Sequence, residues 1–238
     1  MRAFEQELER ITASLLRLAA LAEERVADAI RSLCDRSPDL ADAVIRGDEV
    51  IDWLEVRIEL DCLQFLARHD PIAGDLRRVA AALKVNHELE RMADEAVSIA
   101  RRARTLCDLS PVVPIPRELG AMADAAMAMM RASLDAFVAA DAGRARAVVA
   151  RDDEVDRLHR RVIAALKGTM RGHPDAIDAG LPLYSAASHL ERIADHATNI
   201  AEEAVYLTEG AIIRHRFDQA YGGRRLADRC RLARSRST

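Results

Sequence analysis

The sequence has few of the residues that build sheets and turns. Only 3% of its 238 residues are aromatic, and it contains 10 Gly and 7 Pro. Sandwiches and barrels need aromatic and β-branched strands separated by a turn about every 10 residues, so the composition excludes them. Instead, 45 residues are Ala and 33 of the 35 basic residues are Arg. This composition favours helix throughout the chain.

Several functional signatures are also absent. No run of about 18 uncharged apolar residues exists, so we expect no transmembrane helix. The acidic, amphipathic start of the chain predicts no signal peptide. The glycine-rich loops of nucleotide-binding proteins and the G-x-S-x-G elbow of hydrolases are missing. None of the cysteines forms a C-x-x-C pair, so we expect them to be plain core or surface residues. They are Cys34, Cys62, Cys107 and Cys230.

Apolar residues recur every three or four positions, which predicts six long amphipathic helices. Pro38 suits the first turn of the second helix. Asp70 and Asp141 are predicted N-caps of the third and fifth helices. Pro182 is predicted to kink the sixth helix or to delay its start. The predicted spans are about 4–33, 39–68, 72–104, 117–140, 141–171 and a last helix that ends near 208.

The second half of the chain repeats the first. The segment Leu89–Asp94 (LERMAD) matches Leu190–Asp195 (LERIAD), 101 residues later, and Asp48 and Asp52 match acidic residues 104 positions later. We therefore predict an all-α fold, a tandem repeat of two antiparallel three-helix bundles. The predicted divisions are a first bundle (3–105), a Pro-rich linker (106–116), a second bundle (117–209) and a basic tail (210–238).

Each repeat carries two pairs of acidic residues four positions apart, and each pair lies on one helical face. At about 1.5 Å per residue, the two pairs of a repeat fall at the same height in an antiparallel hairpin. Four carboxylates at one level need a cation or protons. The predicted ligands are Asp48, Asp52, Glu90 and Asp94 in the first repeat, and Asp152, Asp156, Glu191 and Asp195 in the second.

Two further residues, His196 and Asn199, could add ligands to the second site, where the first repeat has Glu95 and Ser98. Oxygen ligands suit Mg²⁺, Mn²⁺, Ca²⁺ or iron. The alternative is that the acids form solvated faces paired with arginines. The candidate arginines are Arg91, Arg157 and Arg192. A ferritin-like di-metal site is disfavoured because only His159 stands in a suitable motif. We expect His87 and His189 to be surface or pairing residues.

Three motifs resemble those of the PhoU family of phosphate-signalling proteins. They are Pro71–Arg77 (PIAGDLR), Leu89–Asp94 and Leu190–Ala201 (LERIADHATNIA). The acidic pairs that begin at Asp48 and Asp152 also fit this family's motif on the second helix of each repeat. The resemblance covers residues 3–209 and implies two three-helix bundles, usually in a homodimer.

The resemblance also implies a non-enzymatic, cytoplasmic negative regulator of the phosphate regulon. Such proteins link a phosphate ABC transporter ATPase to a sensor histidine kinase, and some bind metal through the paired acidic motifs. For this chain it implies Fe, Zn, Mg or Mn held by the eight carboxylates, with recruitment to the inner face of the membrane. Glu95 and Ser98 replace the His and Asn typical of the motif, so we expect the two sites to differ in metal affinity.

The C-terminal tail lies outside the resemblance. Residues 211–238 contain eight Arg and two Asp, a charge of +6, so the rest carries −10 of the total of −4. We expect a solvated segment, with anionic lipid or nucleic acid as alternative ligands of this tail. For the whole chain we expect no nucleic-acid partner. Two alternative functions stay open, a metal-dependent hydrolase or oxygenase and a purely structural scaffold.

Overall fold

The computed structural model describes residues 2–110 and 112–213, and these residues form helices without any strand. The all-α prediction is confirmed. Eight α-helices and one 3₁₀ turn, Pro174–Ala176, follow one another along this part of the chain. The helices are α1 (Arg2–Asp35), α2 (Pro38–Arg46), α3 (Asp48–Arg68), α4 (Ala73–Cys107), α5 (Arg117–Val138), α6 (Ala142–Val149), α7 (Asp152–Gly172) and α8 (Ile177–Glu209).

The second helix of each repeat is broken, which the sequence did not predict. Helix α2 ends before Gly47 and α3 begins at Asp48, and α6 and α7 are separated by residues 150 and 151. A Cβ on Gly47 would lie 2.3 Å from the guanidinium carbon of Arg25, so this break is a place of close approach. Both breaks put acidic residues into the first turn of α3 and of α7. Negative charge is favourable there because the helix dipole is positive at its N-terminus.

Of the three predicted helix signals at other termini, one is wrong. Asp70 does not cap α4, because the N-cap residue is Ile72 and no side chain caps that helix. Pro182 lies inside α8, which begins at Ile177, so this proline does not delay the start of the helix. The alternative, a kink of α8 at Pro182, stays a prediction. Asp141 does cap α6, accepting hydrogen bonds from two backbone N–H groups.

The helices α4 and α8 pack against each other at the centre of the molecule. Helices α1 and α3 complete the first bundle around α4, and α5 and α7 complete the second around α8. Helices α3 and α7 therefore lie at the two outer edges. Alanines are buried along both central helices, and small side chains let helix axes approach closely. Examples are Ala93, Ala96, Ala100 and Ala103 on α4, and Ala187, Ala194, Ala197 and Ala201 on α8.

The segment between the two bundles is held by a side chain of the first bundle. Arg36 donates hydrogen bonds to the backbone oxygens of Leu106, at 3.0 Å, and Val113, at 2.7 Å. At the other end of the molecule, Gly210 ends α8 in a left-handed conformation with φ of 68°. Most of the predicted basic tail, residues 214–238, lies outside the described residues, as does Cys230.

No helix among the described residues is both long and apolar enough to span a bilayer. The cysteines in this part of the chain are free, with Cys34 exposed and Cys62 buried. Cys107 lies between these extremes of exposure. These positions agree with the prediction of plain core and surface thiols.

Candidate functional site

The first four predicted carboxylates lie on two neighbouring helices, α3 and α4. Burial, followed by the charge of Asp94, raises the pKa of Glu90 to about 7, and Glu55 and Asp52 add to this rise. Burial also raises the pKa of Asp48, helped by Asp52 and Asp94. The mutual effects show that the carboxylates of the two pairs lie within one another's electric field. The antiparallel register predicted from their spacing thus brings them together.

Two residues that the sequence reasoning missed extend this first cluster. The buried amide of Asn86 donates hydrogen bonds to the backbone oxygen of Glu55, at 2.9 Å, and to its carboxylate, at 3.2 Å. The amide oxygen of Asn86 is buried and accepts no hydrogen bond from the described residues. Glu55 follows Asp52 by three positions and Asn86 precedes Glu90 by four, so helical spacing alone could have identified both.

The second cluster lies at the equivalent place between α7 and α8. Burial, followed by the charges of Glu191, Asp152 and Asp156, raises the pKa of Asp195 to about 6. The pKa of Asp152 is raised by burial and by Asp156, although the Thr198 hydroxyl donates a hydrogen bond to it at 3.4 Å. The repeat in the sequence therefore corresponds to a repeated acidic site in the structure.

Each cluster concentrates negative charge that a proton or a cation could neutralise. Within residues 2–110 and 112–213, however, no group of three or more His, Cys, Asp or Glu side chains is already arranged to hold a metal ion. The carboxylates of each cluster act on one another's pKa, but within the described residues they do not form a ready set of ligands. Metal binding by these eight residues stays a prediction.

The other two predicted ligands, His196 and Asn199, contact the first repeat. His196 Nδ1 lies 2.7 Å from Glu88 Oε2, and Asn199 donates to the same oxygen at 3.0 Å. Burial alone would raise the pKa of Glu88, but these hydrogen bonds hold it below its usual range. In this arrangement both residues connect α8 to α4.

A second histidine–glutamate pair mirrors the first. His189 Nδ1 is hydrogen-bonded to Glu95, and Arg192 donates to the other oxygen of the same carboxylate at 3.2 Å. Burial pushes the pKa of Glu95 up, yet the hydrogen bonds of His189 and Arg192 lower it overall. His189 is thus a pairing residue, as expected. Glu95, which stands where the second repeat has His196, is a partner across the interface between the repeats.

The sequence contains part of the signal for the two histidine–glutamate pairs. Glu88 and Glu95 lie seven positions apart on α4, and His189 and His196 lie seven positions apart on α8. Seven residues make about two helical turns, so each set lies on one face. Because α4 and α8 are antiparallel, Glu88 meets His196 and Glu95 meets His189. The missing information was that α4 and α8 are neighbours.

Comparisons with known proteins agree with the repeated architecture. The PhoU domain model matches the chain twice, at residues 15–103 and 119–204. A PhoU homologue of Caulobacter vibrioides, a phosphate-specific transport system accessory protein, is 38% identical over 85% of this chain and 88% of its own length. The homologue of Aquifex aeolicus, which has the same name, is also 38% identical, over 88% of this chain and 95% of its own.

Solved structures give the same result. The crystal structure of PhoU from Pseudomonas aeruginosa superposes with a TM-score of 0.84 and 37% sequence identity, covering 87% of this chain and all of that one. A phosphate transport system regulatory protein PhoU from Streptococcus pneumoniae gives a TM-score of 0.82 and 28% identity, over 88% of this chain and 99% of its own. The chain belongs to the PhoU family.

The two PhoU domains contain both acidic clusters and both histidine–glutamate pairs. The arginines that could have neutralised the acids are partly engaged elsewhere, since Arg192 binds Glu95 and Arg91 donates to His87 at 3.4 Å. His87 in turn lies 3.8 Å from Glu90. The acidic clusters of this PhoU protein are therefore only partly compensated by basic side chains of the described residues.

Proposed function

We propose that the chain is a non-enzymatic regulator of phosphate uptake and of phosphate-regulon signalling. This proposal rests on one observation: the chain belongs to the PhoU family, and relatives in that family are named phosphate-specific transport system accessory proteins. In this proposal the chain links the ATPase of a phosphate ABC transporter to a sensor histidine kinase and keeps the kinase silent when phosphate is abundant. It acts in the cytoplasm, as a homodimer recruited to the inner face of the membrane.

We further propose that the two acidic clusters bind metal ions. The residues of the first cluster fit such an ion, because their carboxylates raise one another's pKa and the buried amide oxygen of Asn86 beside them accepts no hydrogen bond within the part of the chain that the structure describes. The second cluster offers the same carboxylates without an equivalent of this amide. Hard oxygen ligands favour Mg²⁺, Mn²⁺ or iron, and Zn²⁺ is the remaining candidate.

The ion would neutralise charge in each cluster and hold the outer helix of a bundle to its central helix. The eight carboxylates would be the ligands, from Asp48, Asp52, Glu90 and Asp94 in the first cluster and from Asp152, Asp156, Glu191 and Asp195 in the second. His196 and Asn199 would join them only after leaving Glu88, to which they are hydrogen-bonded. Because Glu95 and Ser98 occupy the equivalent positions in the first repeat, the two sites are expected to differ in metal affinity.

Deletion of the gene tests the regulatory role. In a strain without a second copy, alkaline phosphatase should rise in high-phosphate medium when the chain is absent, and a plasmid-borne wild-type copy should restore repression. Unchanged alkaline phosphatase would contradict the regulatory role.

Elemental analysis of protein purified without chelator tests the metal sites. Metal should be retained by the wild type and reduced when Glu90 and Glu191 are both replaced by Gln. The matched control is Glu24→Gln, which changes an exposed glutamate on α1 that is not one of the eight proposed ligands. Protein that takes up neither Mg²⁺, Mn²⁺, Zn²⁺ nor iron would contradict the metal proposal.

A further inference from the structure

The outer face of α3 exposes a row of large apolar side chains. We call this row, which consists of Trp53, Val56, Leu60 and Leu63, the α3 stripe. Their exposed fractions are 66%, 51%, 47% and 48%. Steps of three and four residues keep the stripe on one side of the helix. The opposite side of α3 is buried in the first bundle, so this helix is apolar on both sides. Contiguous exposed apolar surface of this kind marks interaction sites.

The second repeat shows that the fold does not require this stripe. The positions 104 residues later on α7 are Arg157, Arg160, Ala164 and Lys167, and all four are exposed. Both helices occupy the same place in their bundles and bury an equivalent inner face. The difference between the two outer faces is therefore specific to the first repeat.

One flank of the α3 stripe is acidic. Asp52, Glu55 and Glu59 lie along the side of α3 that is turned towards the first cluster, and burial together with Glu59 raises the pKa of Glu55. On the other flank Arg57 pairs with Asp61 at 3.6 Å. Across the whole of α3, six acidic residues outnumber two arginines, giving a charge of −4. An apolar surface with this flank is complementary to a partner that carries positive charge.

The charges argue against two other occupants. Anionic lipid headgroups would be repelled by α3, since peripheral helices that bind such membranes carry Lys and Arg on their polar face. Two copies of α3 paired antiparallel about a two-fold axis would place like flank against like flank. The acidic residues of one copy would then face the acidic residues of the other, and like charges at such a contact weaken association.

We propose that the α3 stripe is the docking surface for a helix of another protein, one that presents apolar side chains flanked by Lys or Arg. Recognition of an apolar helix face by an amphipathic helix uses apolar anchors for affinity and flanking charges for specificity. Trp53 supplies the large aromatic anchor, a residue type that dominates binding energy at interfaces. The inference rests on the proposed function only in that the chain acts through protein contacts.

The single Trp of the chain reports occupation of the stripe directly. The probes are two helical peptides of about 20 residues, each with a Leu face and no aromatic residue, flanked by Lys in one and by Glu in its twin. The Lys peptide should shift the Trp53 emission of the full-length protein to shorter wavelength in a saturable titration. It should bind at least about tenfold more tightly than the Glu peptide, and added salt should reduce this preference.

Variants separate the stripe from the rest of the surface. Leu60→Ser should weaken binding of the Lys peptide about tenfold, as expected for an anchor. Ala164→Ser, at the matched position on α7, should leave the affinity for the Lys peptide unchanged. Glu59→Lys should reverse the preference between the two peptides. Circular dichroism checks that each variant is folded, and Leu60 and Glu59 are both exposed, so their replacement removes no buried contact.

Several outcomes would overturn the proposal. If neither peptide binds, or if both bind equally tightly, the partner does not have the apolar and basic character that we assign to it. A wild-type dimer that Leu60→Ser converts to monomer in sedimentation would make a second copy the occupant. An emission shift with phosphatidylglycerol vesicles would make it a membrane. A shift in the free full-length chain when Arg224 and Arg225 are replaced by Gln would make it the chain's own C-terminal segment.

The peptide test and the deletion test fail separately. If the chain represses alkaline phosphatase but binds neither peptide, only the proposed docking surface is contradicted. If the chain binds the Lys peptide at the α3 stripe but has no effect on alkaline phosphatase, only the proposed regulatory role is contradicted.

Discussion

Replacing Glu90 by Gln should stabilise the metal-free protein above neutral pH. Burial and Asp94 raise the pKa of Glu90 from its ordinary 4.5 to about 7. The folded state therefore holds this proton more tightly than the unfolded chain does, and ionisation of Glu90 destabilises the fold. The cost is absent below about pH 4.5, grows as the pH rises towards 7 and is complete above it. Gln imitates the protonated form at every pH.

The size of this effect follows from the pKa. A rise of two to three units corresponds to about 3 kcal/mol of unfolding free energy. About a quarter of the Glu90 side chain stays exposed, 24% of its surface, and screening by solvent reduces the figure to roughly 1.5 kcal/mol. For a chain of this length that amounts to an increase of about 4 °C in Tm.

Thermal unfolding in EDTA at pH 8.0 and pH 4.5 provides the assay. The Glu90→Gln variant should exceed the wild type in Tm at pH 8.0 and equal it at the lower pH, while Glu24→Gln should change neither value. A variant less stable than the wild type at pH 8.0, or a gain of the same size at both pH values, would refute an ionisation cost at this position. Added Mg²⁺ or Mn²⁺ should reduce the advantage of the variant, because the ion stabilises only the ionised cluster.

Three further changes test the contacts of the central helices and the first cluster. Lys84→Met should lower the free energy of unfolding by about 2 kcal/mol in urea denaturation, because the buried carboxylate of Glu203 loses the Lys84 ammonium that lies 3.0 Å away. An unchanged free energy of unfolding would mean that the pair is solvated. His189→Ala should cost about 1 to 2 kcal/mol, and a double-mutant cycle with Glu95→Gln should be non-additive; simple additivity would exclude a direct interaction. Asp48→Asn should halve the metal content in elemental analysis, and full content would remove Asp48 from the ligands.

Much of the site could be predicted from local sequence. The acidic pairs are four residues apart, which fixes their common helical face, and the positions of the turns set their height in the hairpin. These arguments need only the geometry of a straight helix. They place the carboxylates of α3 and α4 near one another, and the effect of each pair on the pKa of the other agrees with this placement.

The breaks after α2 and α6 could not be predicted from local sequence. The apolar periodicity runs through both breaks, since Leu54 and Leu158 continue the pattern that precedes them. Gly47 is the visible signal in the first repeat, but a single Gly inside a helical pattern is common. At the first break the guanidinium of Arg25 lies against Gly47 and donates a hydrogen bond to the backbone oxygen of Ala43 at 3.4 Å, and these contacts join residues from different helices.

The sequence by itself determined the helical class, the two repeats and the acidic pairs, because each depends on residues that are close along the chain. Only the tertiary structure decided which helices are neighbours. The packing of α4 on α8 turned two predicted metal ligands, His196 and Asn199, into partners of Glu88 in the other repeat. It also left the α3 stripe at an outer edge, where its four apolar side chains face solvent.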